Sequence, residues 1–395
     1  MTSARLKFSV EVVAGQSPAS SDVRDLDQGQ PFLQGKAEFG LAHPMPRYES
    51  AVATKICAPG DTLISVRAPV GSVNLADQVY GIGRGLAAVR ASDIHPGFLQ
   101  WVLEDAEGFL QAESTGSTFK AITAWHIGEV PYVSHDLESQ RRIAEHLDAE
   151  NGKVLSVVGR LDSLSELLAA RLRELGTLSV LGLSLAQDTR TIDVHSPLSG
   201  IPEHWGRTKF GYDFNESTER NGDDPPGPLL SISEYRGVEL NTRTEGQQAS
   251  LNVSKYRVVR PGQLAANMMW LNHGGLGVSS LTGYISPDYK AFWISDRFEP
   301  RYVHHLFRSA RYIDYFAAIA TGVRPNAQRV TKTVLDATPV PIPPLDEQIT
   351  IADELDEAAT RVDAMLAKVA KLKSLLLERR AALITDVVTG KKEVS

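Results

Sequence analysis

The residues best equipped for chemistry sit in glycine-rich loops. The stretch 322–332, GVRPNAQRVTK, gathers Arg324, Asn326, Gln328, Arg329 and Lys332. A guanidinium pairs with a guanine edge or a phosphate, and a carboxamide with an adenine edge. The matching upstream stretch is Gly116-Ser117-Thr118-Phe119-Lys120. Its hydroxyls and single ammonium suit phosphate contacts better than base reading. Arg67, Asn74, Arg84, Tyr235 and Arg236 are weaker candidates of the same kind. Asn267 and Asn272 flank Trp270 in NMMWLN. They read either as a recognition loop, with amides for a base edge and an indole for stacking, or as a strand end buried in a core. For the others the alternative is a surface residue supporting a turn.

Bond-making chemistry is harder to find. Asn267-Met268-Met269-Trp270 keeps the ends of the Asn-Pro-Pro-aromatic loop of amino-methyltransferases but neither proline, and no cofactor-binding pattern precedes it. Residues 81–85, GIGRG, share only glycines with a phosphate cradle and predict a tight hairpin turn. His273 could donate to a phosphate or be an ordinary loop histidine. No His-x-x-x-His or clustered carboxylate pattern suggests a metal site. The single cysteine, Cys57, has no base beside it in sequence and reads as a packed thiol; one cysteine also excludes an intramolecular disulfide framework and a zinc ribbon. The expectation is a chain with no catalytic residue, cofactor or metal of its own.

Something must position these loops, and the chain builds it twice. LESQRRIAEHLDAE (137–150) returns as LDEQITIADELDEA (345–358), shifted by 208 positions. The same shift carries Leu168 onto Leu376, Arg171 onto Arg379 and Gly182 onto Gly390. Upstream the likeness is looser: Leu6-Lys7-Phe8 aligns with Thr208-Lys209-Phe210 and Pro59-Gly60 with Pro261-Gly262 at a shift of 202, and HPGFLQWVL (95–103) with EPRYVHHLF (299–307) at 204. Each half is a divergent globular part followed by a long helix. Short strands are expected in 62–70, 85–91, 256–264 and 291–296, and amphipathic helices from 95 and from 299.

The long helices carry Val154, Val157, Leu161, Leu164, Leu168 and Leu175, and in the copy Val362, Met365, Val369, Leu372, Leu376 and Leu383. This three–four spacing, broken at Arg171 and Arg379, predicts an antiparallel coiled coil between the helices. Two separate surface helices are the alternative. The expected organisation is a globular domain over 1–136, a helix over 137–182, a connector over 183–200, a second domain over 201–344, a helix over 345–390 and a tail over 391–395.

Composition bounds the function. The 395 residues suit two or three domains, and 42% apolar with 23% charged residues is ordinary for a soluble protein. The chain has no apolar run of about 18 residues and no signal-peptide pattern at its start, so a cytoplasmic location without a membrane span is expected. The net charge of −7 argues against a simple polybasic nucleic-acid binder. Charge is uneven, however: residues 1–136 hold 10 Lys/Arg against 15 Asp/Glu, and residues 200–340 hold 16 against 14.

Three phrases carry a family resemblance. IPEHWGRTKFG (201–211), PVPIPPLDEQITIADELD (339–356) and LLLERRAALITDVVTG (375–390) closely resemble the specificity subunits of type I restriction–modification systems. With the repeat, the likeness covers nearly the whole chain in the family's order. The first copy departs from it, lacking the IPEHW lead-in and degrading the proline stretch to VPYVSHDLESQ. The resemblance implies an α+β architecture: two mixed α/β target recognition domains joined by two long helices about a pseudo-twofold internal repeat. It implies a non-catalytic subunit in a phage-defence DNA-methylation system. Such a subunit reads a split site in double-stranded DNA and scaffolds two modification subunits, which carry S-adenosylmethionine, and restriction subunits, which use ATP and Mg. A non-DNA interaction scaffold and a self-contained methyltransferase or nuclease are the competing readings.

Overall fold

The computed structural model describes residues 2–40, 42–114, 121–183, 196–233, 236–242, 252–322 and 329–394. The fold is α+β, and the chain divides into two compact units: residues 1–161 with 370–395, and residues 162–369. Each of two 44-residue helices, Leu137–Val180 and Leu345–Val388, therefore begins in one unit and ends in the other. Among the described residues no helix is long and apolar enough to cross a membrane.

Unit 1 is built on a four-stranded antiparallel sheet of β1 (Val10–Ala14), β2 (Thr62–Ser65), β3 (Val73–Leu75) and β4 (Leu86–Ala91), in the order β1-β4-β2-β3. Ala87 faces both Ala14 and Ile64, and Ile64 faces Val73. Unit 2 repeats it with β5 (Phe214–Ser217), β6 (Leu264–Ala266), β7 (Leu276–Val278) and β8 (Lys290–Ile294), in the order β5-β8-β6-β7. The turn that feeds β2 and β6 is the same in both. Asp61 N donates to Ala58 O, and Gln263 N to Arg260 O, at 3.1 Å each. Gly60 and Gly262 take φ values of +88° and +82°, a conformation that costs glycine nothing, each behind a proline that presets the position before it. Divergence is concentrated outside this frame. Unit 1 adds a five-stranded sheet, where unit 2 has two separate strand pairs.

A second antiparallel pair closes each unit: Thr2–Arg5 with Pro131–Ser134, and Gly206–Lys209 with Pro339–Ile342. These pairs place Leu6 and Phe210 at equivalent buried positions, so the shift here is 204, not the 202 read from the sequence. Phe8 then corresponds to the exposed Tyr212, and is itself exposed. The amphipathic segments also differ from expectation. Each is two helices, Pro96–Asp105 with Glu107–Glu113, and Pro300–Phe307 with Ala310–Ile319. Proline opens the first helix of each pair, where its missing N–H costs nothing. In unit 2 the break falls at buried Ser309, whose carbonyl accepts from Tyr312 and Ile313 N and starts the next helix.

The Gln of the repeated phrase ties each long helix to its globular part. Gln140 and Gln348 are both buried. Gln140 Oε1 accepts from His95 N (2.7 Å) and its amide donates to His135 O (2.8 Å). Gln348 Oε1 accepts from Glu299 N (2.9 Å) and its amide donates to Arg297 O (3.0 Å) and Pro343 O (2.9 Å). The IPEHW phrase has a related use. Trp205 Nε1 and His204 Nε2 both reach Glu347, at 2.9 and 2.8 Å. The first copy has neither the phrase nor the glutamate: Ser139 stands at the equivalent position and binds the helix-capping Asp136 instead.

Each unit is completed by the end of the helix that began in the other. In unit 1, Ile384, Val387 and Val388 join Ile143, Ala144 and Leu147 in the core around Phe98 and Trp101. The helix segments run in opposite directions there, and Arg380 spans them: its guanidinium hydrogen-bonds Asn151, pairs with Glu104 and lies 5.6 Å over the Trp101 ring. In unit 2, Val180 and Leu181 enter the core with Ile351, Ala352 and Leu355, and Tyr302 donates to Val180 O at 2.8 Å.

Unit 2 also holds a histidine ready to respond to acid. His304 accepts Val278 N–H on Nδ1 (3.2 Å) and lies against Gly237 and Gly277. Burial, helped by the neighbouring Arg308 charge, pushes its pKa down to about 3. The unfolded chain, with an ordinary histidine pKa near 6.5, takes up this proton first. The stability His304 confers is therefore full above about pH 6.5 and drains away as pH falls towards 3. The urea midpoint of unit 2 is expected to drop between pH 7 and pH 5, and His304→Asn is expected to remove much of that drop. Equal pH dependence in the variant would refute the assignment.

Candidate nucleic-acid interface

In both units the loop leaving the central strand meets the segment ahead of a short helix. In unit 1, Ile122 N donates to Val66 O (2.9 Å) and Arg67 bridges to Ala121. In unit 2, Val330 N donates to Met268 O (3.0 Å), and Arg329 bridges to Thr321. The described residues that flank the loops singled out in the sequence thus follow one backbone plan twice, but with different side chains. Arg67-Ala68 in unit 1 stands where Met269-Trp270 stands in unit 2. The Met269-Trp270 turn is firmly held: Asn267 Oδ1 accepts Met269 N (3.1 Å), Gly275 N donates to Trp270 O (2.8 Å), and the indole lies 4.9 Å from the His273 ring. Met269 and Trp270 remain about half exposed.

The fate of each candidate is specific. Arg67, Arg84, Arg236 and Arg329 are exposed. Asn272 is half-buried. Asn74 is a correction: only 5% exposed, it donates from its amide to Gly40 O (2.8 Å) and holds a loop. Asn267 is another. It is buried and spends its side chain on the turn, leaving display to Met269 and Trp270. Lys332 pairs with Asp336 and lies over the Phe292 ring, so its charge is already engaged. Ser117, Thr118, Lys120, Tyr235, Arg324, Asn326 and Gln328 lie outside the described residues. The GIGRG turn exists, but it joins strands of two different sheets rather than a hairpin. Cys57 is buried and its thiol is pushed up to about 11, mainly by desolvation. Among the described residues no group of three or more His, Cys, Asp or Glu could hold a metal.

The helix seam also needs correction. Val154, Leu161, Leu168, Val362, Val369, Leu376 and Leu383 are buried or half-buried, whereas Val157, Leu164, Leu175, Met365 and Leu372 are exposed. The inward positions include Val158, Ser165, Leu172, Leu366, Lys373 and Arg380. The three–four spacing holds with a different phase, because part of the covered stripe is polar and part of the exposed face is apolar. Leu167 and Leu375 extend that exposed apolar face.

Comparison with known proteins gives the class. No family model matches the chain. The chain is 38% identical over 141 residues to a protein described as the putative type I restriction enzyme MjaX specificity subunit of Methanocaldococcus jannaschii, a match covering 35% of this chain and 33% of that protein. It is 29% identical over 91 residues to the type I restriction enzyme StySPI specificity subunit of Salmonella potsdam, covering 23% and 19%. The matched regions thus span a third or less of these relatives. Its fold matches a chain solved in work on complex assembly and conformational transition of the type I R-M system, with a TM-score of 0.64, 16% identity, and coverage of 99% of this chain and 98% of that one. Part of the chain is thus similar in sequence to type I restriction enzyme specificity subunits, and its fold is like that of a chain solved in work on that system.

Proposed function

We propose that the chain is the DNA-reading specificity subunit of a type I restriction–modification complex. Each unit reads one half of a split, asymmetric site in double-stranded DNA, and the two long helices fix the distance between the halves. Two modification subunits bind around those helices and supply S-adenosylmethionine chemistry; restriction subunits add ATP-driven cleavage. The chain itself contributes recognition and no catalysis. The observation that carries this reading is the repeated frame: one backbone plan presents Arg67 in one unit and Met269 and Trp270 in the other. A frame held constant while its displayed groups change is what two different half-sites require. The exposed apolar residues of the long helices, Leu164, Leu167, Leu372 and Leu375 among them, support a partner-binding role there. Methylation mapping in a host carrying this chain with its modification subunit is expected to return two short motifs separated by a fixed gap. A single uninterrupted motif would sink the reading.

A further inference from the structure

We propose that a cleft in unit 1 flanked by Arg67 and Arg84 recognises guanine in one half-site; the proposal rests on the DNA-reading function above. The cleft, of about 730 Å³, lies at the ends of β1, β2 and β4 beside the five-stranded sheet. Gln16, Gln34, Arg24 and Asp25 also line it.

The backbones that carry its key groups are tied to one another. Val66 N donates to Gly85 O (2.9 Å), which sets Arg67 and Arg84 on either side of one hydrogen bond. Gln16 N donates to Ile82 O (2.9 Å), and Arg84 N to Ser17 Oγ (3.1 Å). The side chains are thus displayed from a fixed platform, which lowers the cost of ordering them on binding.

Their charge state is the second observation. Arg24 is engaged by Glu49 at 2.8 Å, and elsewhere in the unit Arg90 is engaged by Asp61 at 2.8 Å. Among the described residues Arg67 and Arg84 have no ion pair, although this part of the chain carries an excess of carboxylates. Two guanidiniums that line one cleft of an acidic domain, neither in an ion pair among the described residues, are complementary to a polyanion. A guanidinium has five donors and no acceptor. Of the base edges in the major groove, guanine offers it two acceptors together, O6 and N7. The equivalent position of unit 2 carries Met269 and Trp270, so the assignment concerns one half-site only.

The test uses the full chain assembled with its modification subunits and a randomised duplex library. Wild-type protein is expected to select a split site with guanine in one half. Arg67→Lys and Arg84→Lys keep the charge and lose the planar fork. At least one is expected to lower preference for that guanine about tenfold or more, with the other half-site's sequence and the melting temperature unchanged. Selection of a split site with no guanine affected by either variant overturns the guanine assignment and leaves the DNA-reading function standing. So does a loss spread evenly over all sequences, the signature of phosphate contacts. Failure of wild-type protein to select any split site overturns both.

Discussion

A heptad inserted after Leu161 together with one after Val369 is expected to abolish modification of the original site and to create a new one whose half-sites stand about three base pairs further apart. Seven helical residues add about 10 Å of axial rise. B-DNA advances about 34 Å in 10 base pairs. A whole heptad also preserves which face of each helix is covered, since the covered positions follow a three–four spacing. The structure chooses the insertion points. The division between the units falls at Leu161–Asp162 in one helix and Val369–Ala370 in the other, so insertion there leaves the interior of each unit intact. Insertion after Leu168 and Leu376, which the repeat alone would suggest, falls inside unit 2 and unit 1 respectively. Methylation mapping reads the result, and an unchanged gap in a stably folded variant would refute the ruler function. A heptad in only one helix is expected to abolish modification without producing a new gap.

Gln348→Leu is expected to destabilise unit 2 by about 3 kcal/mol. Leucine comes close to the lost volume but leaves Glu299 N, Arg297 O and Pro343 O without their partner. A buried main-chain group left unpaired costs about 1–3 kcal/mol, and local relaxation recovers part of the sum. Glu299 matters most, because it caps the helix Pro300–Phe307 that carries Tyr302, Val303, Leu306 and Phe307 into the core. Gln140→Leu removes two such bonds instead of three and is expected to cost unit 1 less. Urea unfolding monitored by tryptophan fluorescence measures both. A loss below about 1 kcal/mol for Gln348→Leu would mean that the tie is incidental.

Much of the architecture is legible in the sequence because repeated geometry leaves repeated residues. The two long helices and the Pro-Gly turns could be placed from their matching residues alone. The role of Gln140 and Gln348 could not: the phrase marks a position, but its partners, His95 and Glu299, lie far upstream. The helix seam was misphased for a related reason. Val157 and Leu164 fit an apolar repeat, yet burial depends on what a helix faces, and the inward stripe admits Ser165, Lys373 and Arg380. Sites were less legible than elements. Asn74 and Asn267 have the side chains expected of base readers, but Asn267 serves its own turn and Asn74 holds the backbone at Gly40. Nothing in the sequence indicates that Gln16 and Gln34 share a cleft with Arg67.

The exchange of helix ends between the units has a consequence for biosynthesis. A chain emerging from the ribosome presents residues 1–161 long before Ile384, Val387 and Val388 exist to cover their share of that core. Unit 2 draws all its segments from 162–369 and is available in full sooner. Of the two units, the one translated first is therefore finished last, and its apolar surface waits, exposed, while residues 162–383 are made.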